Sequence, residues 1–179
     1  LTTGKKNSKK GYSHIDYESI LKNQDGIIFL AHISERNHSF SERLEWLRFI
    51  QMLKTNNSRS VYVVMAPRYD GLDEIRFHKI NKFAKNFKCG VLASSTPLMH
   101  HGSRRKVRDT LSAIKMKCTI DDLGVESSIN GEQRMRPPHD FITIFKDYPE
   151  AIHNTNFISD GCSFSLDELS YTYPKEVLK

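Results

Sequence analysis

The chain has 179 residues, of which 38% are hydrophobic and 27% are charged, a composition typical of a soluble globular protein rather than a disordered one. Its formal net charge of +6 favours an anionic partner, with nucleic acid first. Three widely spaced cysteines without a C-x-x-C pair argue against a disulfide framework or a zinc knuckle, and they predict reduced thiols in the cytoplasm. The longest apolar runs are too short to span a bilayer, so no membrane association is expected.

The N-terminal third is predicted to form a cationic loop, a helix, a strand and a long helix. Residues 1–12 are polar and lysine-rich without periodicity, which favours a solvated segment over an arm that contacts phosphate. Ile15–Asn23 has helical spacing, and Ile27–Ile33 is apolar enough for a buried strand. A period of 3.6 then predicts a helix capped by Ser39 or Ser41. The apolar face of that helix comprises Phe40, Leu44, Leu47, Ile50 and Leu53.

Two further strands are predicted, each followed by a helix. Val61–Met65 is β-branched and apolar, and the loop Pro67–Gly71 after it is expected to be a capped turn. Cys89–Ser95 lacks polar alternation, as does a strand of a parallel sheet that is covered on both faces. The apolar residues are Ile75, Ile80, Phe83, Ala84 and Phe87 in the first helix, and Val107, Leu111 and Ile114 in the second.

The alternation of strands and helices predicts an α/β fold of about three βα units with a parallel sheet. Three strands cannot close a barrel, so they would form an arc of one and leave an unpaired strand edge. Beyond Cys118 the alternation stops, and a helical and extended segment is expected. Short helices are predicted over 138–145 and 149–161, because each stretch has a proline near its start.

Groups able to do chemistry collect after the third strand, at the end where parallel α/β folds place their sites. Two adjacent histidines precede a run of cations at a helix N-terminus, where backbone N–H groups and the helix dipole favour an anion. The cations form either a solvated face or a contact with phosphate or a neighbouring domain, and Asp109 is expected to pair with them. The candidate contact residues are Arg104, Arg105, Lys106, Arg108, Arg134 and Arg136.

The tail Cys162-Ser-Phe-Ser-Leu-Asp-Glu-Leu-Ser-Tyr-Thr-Tyr-Pro-Lys-Glu176 resembles the segment that ends the PHP domain and enters the polymerase body in bacterial C-family DNA polymerases. These polymerases are the DNA polymerase III alpha subunit and its error-prone, translesion relative. Asn130-Gly-Glu-Gln-Arg-Met-Arg-Pro137 and Ser103-Arg-Arg-Lys-Val-Arg-Asp-Thr-Leu-Ser-Ala-Ile-Lys115 resemble landmarks of the error-prone branch. Together they follow the family order over essentially the whole chain.

This resemblance implies a partial, distorted βα barrel of the PHP type, with residues 1–118 as its C-terminal half. Residues 119–179 would end the PHP domain and connect it to the polymerase body. The chain would be a fragment of an error-prone DNA polymerase that acts in replication and translesion repair in the cytoplasm. The whole enzyme would use Mg²⁺ held by carboxylates outside this chain. Its partners would be DNA, its own remaining domains, and a sliding clamp or other translesion proteins.

One departure from the family pattern concerns the metal site. The family has Asp-x-His-x-His after its last barrel strand, and alignment through the next helix places Thr96 at the aspartate and Leu98 at the first histidine. A threonine hydroxyl is a poor substitute for a carboxylate, and leucine cannot bind a metal. We therefore expect a degenerate site without metal or cofactor, with His100 as a remnant ligand and no catalytic residue in this chain.

Two other classes of function stay open on the sequence alone. A stand-alone PHP-type phosphoesterase would require zinc or manganese binding that depends on His100. A non-catalytic nucleic-acid-binding module would show salt-dependent affinity for DNA.

Overall fold

The fold is organised around a parallel sheet of three strands in the order β1-β2-β3. A computed structural model describes residues 2–33, 40–56 and 61–170 of the chain. The α/β class and the parallel pairing predicted from the alternating pattern are confirmed. The strands are β1 (Phe29–Ala31), β2 (Val61–Met65) and β3 (Gly90–Ala93).

Helices cover the sheet and form most of the rest of the described chain. The predicted helices at the two prolines, 138 and 149, are confirmed, because proline fits the first helical turn, where an N–H has no partner. No helix within residues 2–33, 40–56 and 61–170 is long and apolar enough to cross a bilayer. The helices are α1 (Thr2–Lys6), α2 (Tyr17–Lys22), α3 (Phe40–Asn56), α4 (Asp73–Asn86), α5 (Arg105–Met116), α6 (Pro138–Ile144) and α7 (Pro149–Gly161). Short 3-10 turns lie at Gly102–Arg104, Asp121–Glu126 and Leu166–Glu168.

The short helix α1 replaces part of the loop expected at the N-terminus. Gly4 is buried there, and a Cβ at this position would lie 2.5 Å from the carbonyl oxygen of His14. Ser8 Oγ donates to the Gly4 carbonyl at 2.7 Å. Close packing of Gly4 against the next segment therefore stabilises a turn that the lysine-rich composition did not indicate.

The central strand β2 has all of its residues buried. Val63 and Met65 pack in a cluster with side chains of α4, while Tyr62 and Val64 pack on the other face, where Ile158 of α7 joins them. Successive side chains of a strand point to opposite faces, so both faces of β2 need cover. The uninterrupted apolar run Val61–Met65 is explained by this two-sided burial.

The long helix α3 packs on the sheet through the C-terminal part of its predicted apolar face. Ile50 and Leu53 are buried, and Phe49 joins them. Trp46, which lies off the predicted stripe, contacts Phe83 of α4 with ring centroids 5.5 Å apart. The predicted cap Ser39 and the side chains of Phe40, Ser41 and Leu44 lie outside the described residues, as does the tail Tyr171–Lys179.

The strand predicted over Ile27–Ile33 is shorter and more exposed than expected. β1 has three residues, and its central residue Leu30 is 45% exposed. Phe29 and Ala31 pack against the buried side chains of α3. The prediction of a buried strand was wrong because β1 lies at the edge of the sheet and is covered on one face.

Helix α4 buries Ile80 and Ala84 as predicted, but its buried stripe includes Phe77 rather than Ile75. Phe77, Ile80 and Ala84 are buried, and Phe77 stacks on Phe145 with ring centroids 5.2 Å apart. Ile75 was expected on this face but is exposed. Residues two apart on a helix are rotated by about 200°, so Phe77 and Ile75 cannot face the same layer.

Helix α5 is turned the opposite way from the prediction. Val107, Leu111 and Ile114 were expected to face the core, but each is exposed, and Asp109 and Ala113 are buried instead. The reason is that α5 packs mainly against the 3-10 turn Asp121–Glu126, whereas α7 lies against β3. In the third predicted βα unit, α5, the helix that follows β3, therefore does not pack on the sheet.

The free edge of β3 is covered by side chains of α7. Asn154 Nδ2 donates to the Val91 carbonyl at 2.8 Å, and Thr155 Oγ1 donates to the Ala93 carbonyl at 2.9 Å. These carbonyls point away from β2, because Ser94 donates its N–H to β2 and alternate residues of a strand face opposite neighbours. The unpaired edge predicted for a three-strand arc is thus occupied on the β3 side.

Replacement of Gly90 by alanine is expected to destabilise the sheet. A Cβ at Gly90 would lie 2.5 Å from Cδ1 of the buried Tyr62 ring, so strand or ring must shift. We expect Gly90→Ala to lower the free energy of unfolding by about 1–3 kcal/mol, as overpacking does. Urea denaturation followed by circular dichroism measures this change.

Gly161→Ala is the matched control, because a Cβ there meets no atom within 4 Å. It should leave stability unchanged or raise it slightly, since alanine is the better helix former. Equal stability of the two variants would contradict the close packing of Gly90 on Tyr62.

Candidate functional site at the carboxyl ends of the strands

A segment comprising residues 128–136, here called the bridging segment, holds together the loops that follow β2 and β3. Asn130 Nδ2 donates to the carbonyl oxygen of Arg68, after β2, at 2.7 Å. The carbonyl oxygen of Gln133 accepts the N–H of Leu98, after β3, at 2.9 Å. Both loops are therefore fixed by one segment at the end of the sheet where parallel α/β folds bind ligands.

Two glycines allow the bridging segment to approach the 3-10 turn before α5. A Cβ on Gly131 would lie 2.8 Å from the carbonyl oxygen of Gly102, and a Cβ on Gly102 would lie 2.9 Å from that of Gly131. A side chain at either position would push the two backbones apart, so both positions favour glycine. This contact sets the spacing between the start of α5 and the loops.

The loop after β2 is a turn capped by Asp73, as the sequence predicted. The Asp73 carboxylate accepts the N–H groups of Arg68 and Tyr69 at 2.9 and 2.7 Å. Arg76 pairs with Asp73 and, at 2.6 Å, with Asp70. The hydrogen bond from Arg76 holds the pKa of Asp70 below its usual value. Tyr69 has a φ of +55°, a left-handed conformation that is uncommon for a residue other than glycine.

Arg136 is buried where the bridging segment meets that turn. Its side chain is 7% exposed, and it pairs with the carboxylates of Glu132 and Asp140, the latter at 3.3 Å. Its guanidinium also lies 4.4 Å from the centre of the Tyr69 ring. Arg136 therefore joins the turn after β2, the bridging segment and the start of α6 through contacts within the chain.

Asp109 is a buried carboxylate at the first turns of α5. Its Oδ1 accepts the N–H and the hydroxyl of Ser128 at 3.0 and 2.9 Å, and Arg108 and Arg105 lie 3.1 and 3.5 Å away. Burial acts to raise the pKa of Asp109, but the hydrogen bonds from Ser128 and Arg108 outweigh it and hold the pKa below its usual range. The pairing with neighbouring cations expected from the sequence is confirmed.

The remaining candidate cations differ in exposure. Arg104, Arg105 and Lys106 are exposed together at the start of α5. Arg108 is 23% exposed and donates to a backbone carbonyl as well as to its neighbouring carboxylate. Arg134 is 29% exposed, with its Nε 3.9 Å from a carboxylate of the bridging segment. The structure thus gathers the first three on one accessible helix start.

The residues after β3 do not fit a multi-ligand metal site. Leu98 and His100 are exposed on either side of the buried Met99, and Leu98 cannot bind a metal. His101 accepts the Ser103 N–H at 3.3 Å through Nδ1 and so caps the 3-10 turn before α5. Thr96 has a φ of +39°, which is strained for a β-branched residue. Across the described ranges, no three His, Cys, Asp or Glu side chains lie close enough together to hold a metal ion.

Three similar proteins are named as error-prone DNA polymerases, and this chain matches one segment of each. Ruegeria pomeroyi error-prone DNA polymerase is 33% identical over 177 residues, which cover 99% of this chain and 16% of that protein. Rhizobium meliloti error-prone DNA polymerase 1 is 32% identical over 98% of this chain and 16% of its own. Error-prone DNA polymerase of a Bradyrhizobium strain is 33% identical over 69% of this chain and 11% of its own.

The chain is similar to error-prone DNA polymerases over nearly all of its own length. It spans 16% of the length of the first two curated relatives, so the homology concerns one segment of an error-prone DNA polymerase. No family model matches the chain. The resemblance inferred from the motifs is confirmed, and Asn130–Pro137, one of those motifs, overlaps the bridging segment that holds the loops in place.

The sequence did not predict which residues hold the loops and the bridging segment together. The dipeptide Asn130-Gly131 indicates a turn, but no local pattern places the Asn130 amide on a carbonyl 62 residues earlier in the chain. Ser128 lies outside the motifs, and the motif Asn130–Pro137 does not indicate the ion pair of Glu132 with Arg136. Their roles depend on contacts between distant parts of the chain, which neither spacing nor composition encodes.

Acidification is expected to destabilise the protein through Asp109. Because its pKa is lower in the folded state, the unfolded state takes up the proton first, so this contribution is full above about pH 5 and is lost as the pH falls through the folded pKa. Asp109→Asn should lower stability at neutral pH and reduce the decrease between neutral and acidic pH. Urea denaturation at several pH values measures both effects.

The exposed Asp121 supplies the control, since Asp121→Asn should leave the pH dependence close to that of the wild type. Part of the decrease in stability at acidic pH should persist in Asp109→Asn, because Arg76 also holds the pKa of Asp70 low. If stability decreased between neutral and acidic pH as much in Asp109→Asn as in the wild type, the charge of Asp109 would not stabilise the fold.

Loss of Arg136 is expected to be much more costly than loss of Arg134. Arg136→Leu leaves Glu132 and Asp140 near each other without their shared cation, and we expect it to lower the free energy of unfolding by about 2 kcal/mol. Arg134→Leu should cost less than about 0.5 kcal/mol, because its ion pair is long and partly exposed. Thermal and urea denaturation compare the two, and equal losses would contradict a structural role specific to Arg136.

Proposed function

We propose that this chain serves as a structural segment of an error-prone DNA polymerase. Residues 1–118 would be the C-terminal half of a PHP-like βα barrel, and residues 119–179 would end that domain and connect it to the polymerase body. The observation that carries this proposal is the match to such polymerases over 98–99% of the chain and 16% of their length. Three parallel strands with their loops gathered at the carboxyl ends agree with part of a barrel.

The whole protein would extend a primer with deoxynucleotides, in replication and translesion repair in the cytoplasm. Mg²⁺ for that reaction would be held by carboxylates outside this chain, and none of the residues described here would be catalytic. DNA, the remaining polymerase domains, and a sliding clamp or other translesion proteins would be its partners. In this proposal the bridging segment keeps the loops in a fixed arrangement against which other parts of the polymerase pack.

A stand-alone phosphoesterase is the less favoured function, for reasons of donor chemistry. Thr96 and Leu98 stand where the resemblance calls for an aspartate and a histidine, and His101 accepts a backbone N–H through Nδ1. His100 would then be left to bind a metal with too few partners. We propose that this site is a degenerate PHP site that binds no metal or cofactor.

The exposed cations at the start of α5 are the best candidates for a contact with DNA. Arg104, Arg105 and Lys106 stand together where a cation is unfavourable for the helix dipole, so a bound phosphate would relieve that repulsion. Arg105 has a carboxylate 3.5 Å away, while Arg104 and Lys106 have none within 4 Å in the described part of the chain. A contact with a neighbouring polymerase domain is the alternative role for these cations and for Arg134.

A segment exchange tests the proposed function. In the Ruegeria pomeroyi polymerase, the matching 177 residues are replaced by those of this chain, and primer extension by the purified protein is measured. We expect the exchanged polymerase to extend primers, whereas a polymerase that lacks the segment should not. A folded exchange protein that is inactive would contradict the proposal that the two segments have the same role.

The contact with DNA is tested in the same exchanged polymerase. Replacing Arg104, Arg105 and Lys106 with serine should weaken primer-template binding and reduce the slope of log affinity against log salt by up to about 0.9 for each lost contact with duplex DNA. The control replaces three exposed lysines of α4 with serine, which removes the same charge elsewhere. Equal effects in both triple variants would indicate general electrostatic attraction rather than a contact at α5. The control lysines are Lys79, Lys82 and Lys85.

A further inference from the structure

Helix α5 presents an apolar face that no described part of the chain covers. Val107, Leu111 and Ile114 are 48%, 62% and 68% exposed, although their spacings of four and three residues place them on one side of the helix. The opposite side carries the buried residues Asp109 and Ala113. The exposed stripe is therefore not a consequence of a loosely packed helix, since α5 is anchored by its other side.

A groove runs between this face and the loop after β3. Its volume is about 510 Å³, and its walls include Leu98 and Met99 from the loop and Val107 and Leu111 from α5. Met99 is held in place by its backbone, because its carbonyl accepts the Met135 N–H at 3.1 Å. The groove thus lies between two elements that the bridging segment and the 3-10 turns fix.

In the described part of the chain, the charged residues that line the groove are all cations, namely Arg104, Arg108 and Lys115. Arg108 is paired with Asp109, but Arg104 and Lys115 have no carboxylate within 4 Å in residues 2–33, 40–56 and 61–170. The Asp109 carboxylate is held by Ser128 on the buried side of the helix. A ligand that complements the groove therefore combines apolar side chains with negative charge.

We infer that this groove binds an acidic amphipathic helix of a partner polypeptide. Apolar side chains at helical spacing would fill the space between Leu98 and Leu111, as in other complexes in which a helix lies in a groove. Glutamates or aspartates beside them would meet Arg104 and Lys115 at the two ends. Nucleic acid would use the cations but would leave the apolar side chains of Leu111 and Ile114 without a contact. The apolar walls of the groove and the cations around it together predict a partner helix with an apolar face and negative charge.

A peptide-binding experiment with the full 179-residue chain tests this inference. The probe is a fluorescent synthetic helix of about five turns, with leucines on one face and glutamates on the other. Fluorescence anisotropy should show saturable binding that weakens about tenfold in Leu111→Asp and also weakens in Lys115→Glu. Ile142→Asp is the matched control, because Ile142 on α6 is 64% exposed and outside the groove, and it should bind the probe like the wild type.

Two altered probes separate the apolar and the charged contributions. A helix with lysines in place of the glutamates, and one with serines in place of the leucines, should each bind much more weakly than the original probe. Circular dichroism shows whether Leu111→Asp is folded, and Lys115→Glu carries the test if it is not. Equal binding of all three probes, or equal binding by the wild type and a folded groove variant, would overturn the inference.

Other occupants of the groove are outcomes of the same test. Absence of saturable probe binding to the wild type would overturn the inference. Loss of self-association in sedimentation experiments, or of binding to anionic phospholipid vesicles, in Leu111→Asp would then identify a second copy of the chain or a lipid surface as the occupant. The inference does not rest on the proposed polymerase role, since the peptide arm of the test would succeed or fail without primer extension.

Discussion

The requirement that both faces of β2 be covered governs the arrangement of the chain. A strand that pairs on both sides and is apolar throughout must have a layer above and a layer below it. α4 supplies one layer and α7 contributes to the other, although more than 50 residues separate the two helices in the sequence. After β3, the chain therefore has to leave the sheet, form α5 and α6, and return as α7. The loops at the carboxyl ends of the strands are held together by that excursion.

Charged groups in this region have two different physical roles. Asp109 and Arg136 are enclosed, and each is matched by several hydrogen bonds or ion pairs, so both join parts of the chain that are distant in sequence. Arg104 and Lys106 stay in solvent, where charge costs little and can meet a partner. The net positive charge of the chain therefore does not measure its capacity to bind an anion, because some of its arginines act as internal connectors.

The sequence predicted those elements whose signal is local. The apolar run of β2 and the proline-started helices α6 and α7 follow from β-branched side chains and from proline geometry. The buried side of α5 could not be predicted, because Val107 and Leu111 have the spacing of a core stripe whichever way the helix is turned. Its orientation depends on contacts with later parts of the chain: the packing of α5 against the 3-10 turn Asp121–Glu126 and the hydrogen bond of Asp109 with Ser128, nineteen residues later. The family resemblance could be inferred because it depends on the order of short motifs rather than on their packing.

The polar side chains of Asn154 and Thr155 leave only one edge of the sheet of described strands open to a further strand. By accepting hydrogen bonds from them, the outward carbonyls of β3 are satisfied without a neighbouring strand, and the body of α7 occupies the position such a strand would need. No described strand pairs with the outer side of β1, so the outward N–H and C=O groups of β1 can form hydrogen bonds with a further strand. Any additional strand, from this polypeptide or another, must therefore join at β1, and the sheet is protected at one end against the edge-to-edge pairing that leads to aggregation.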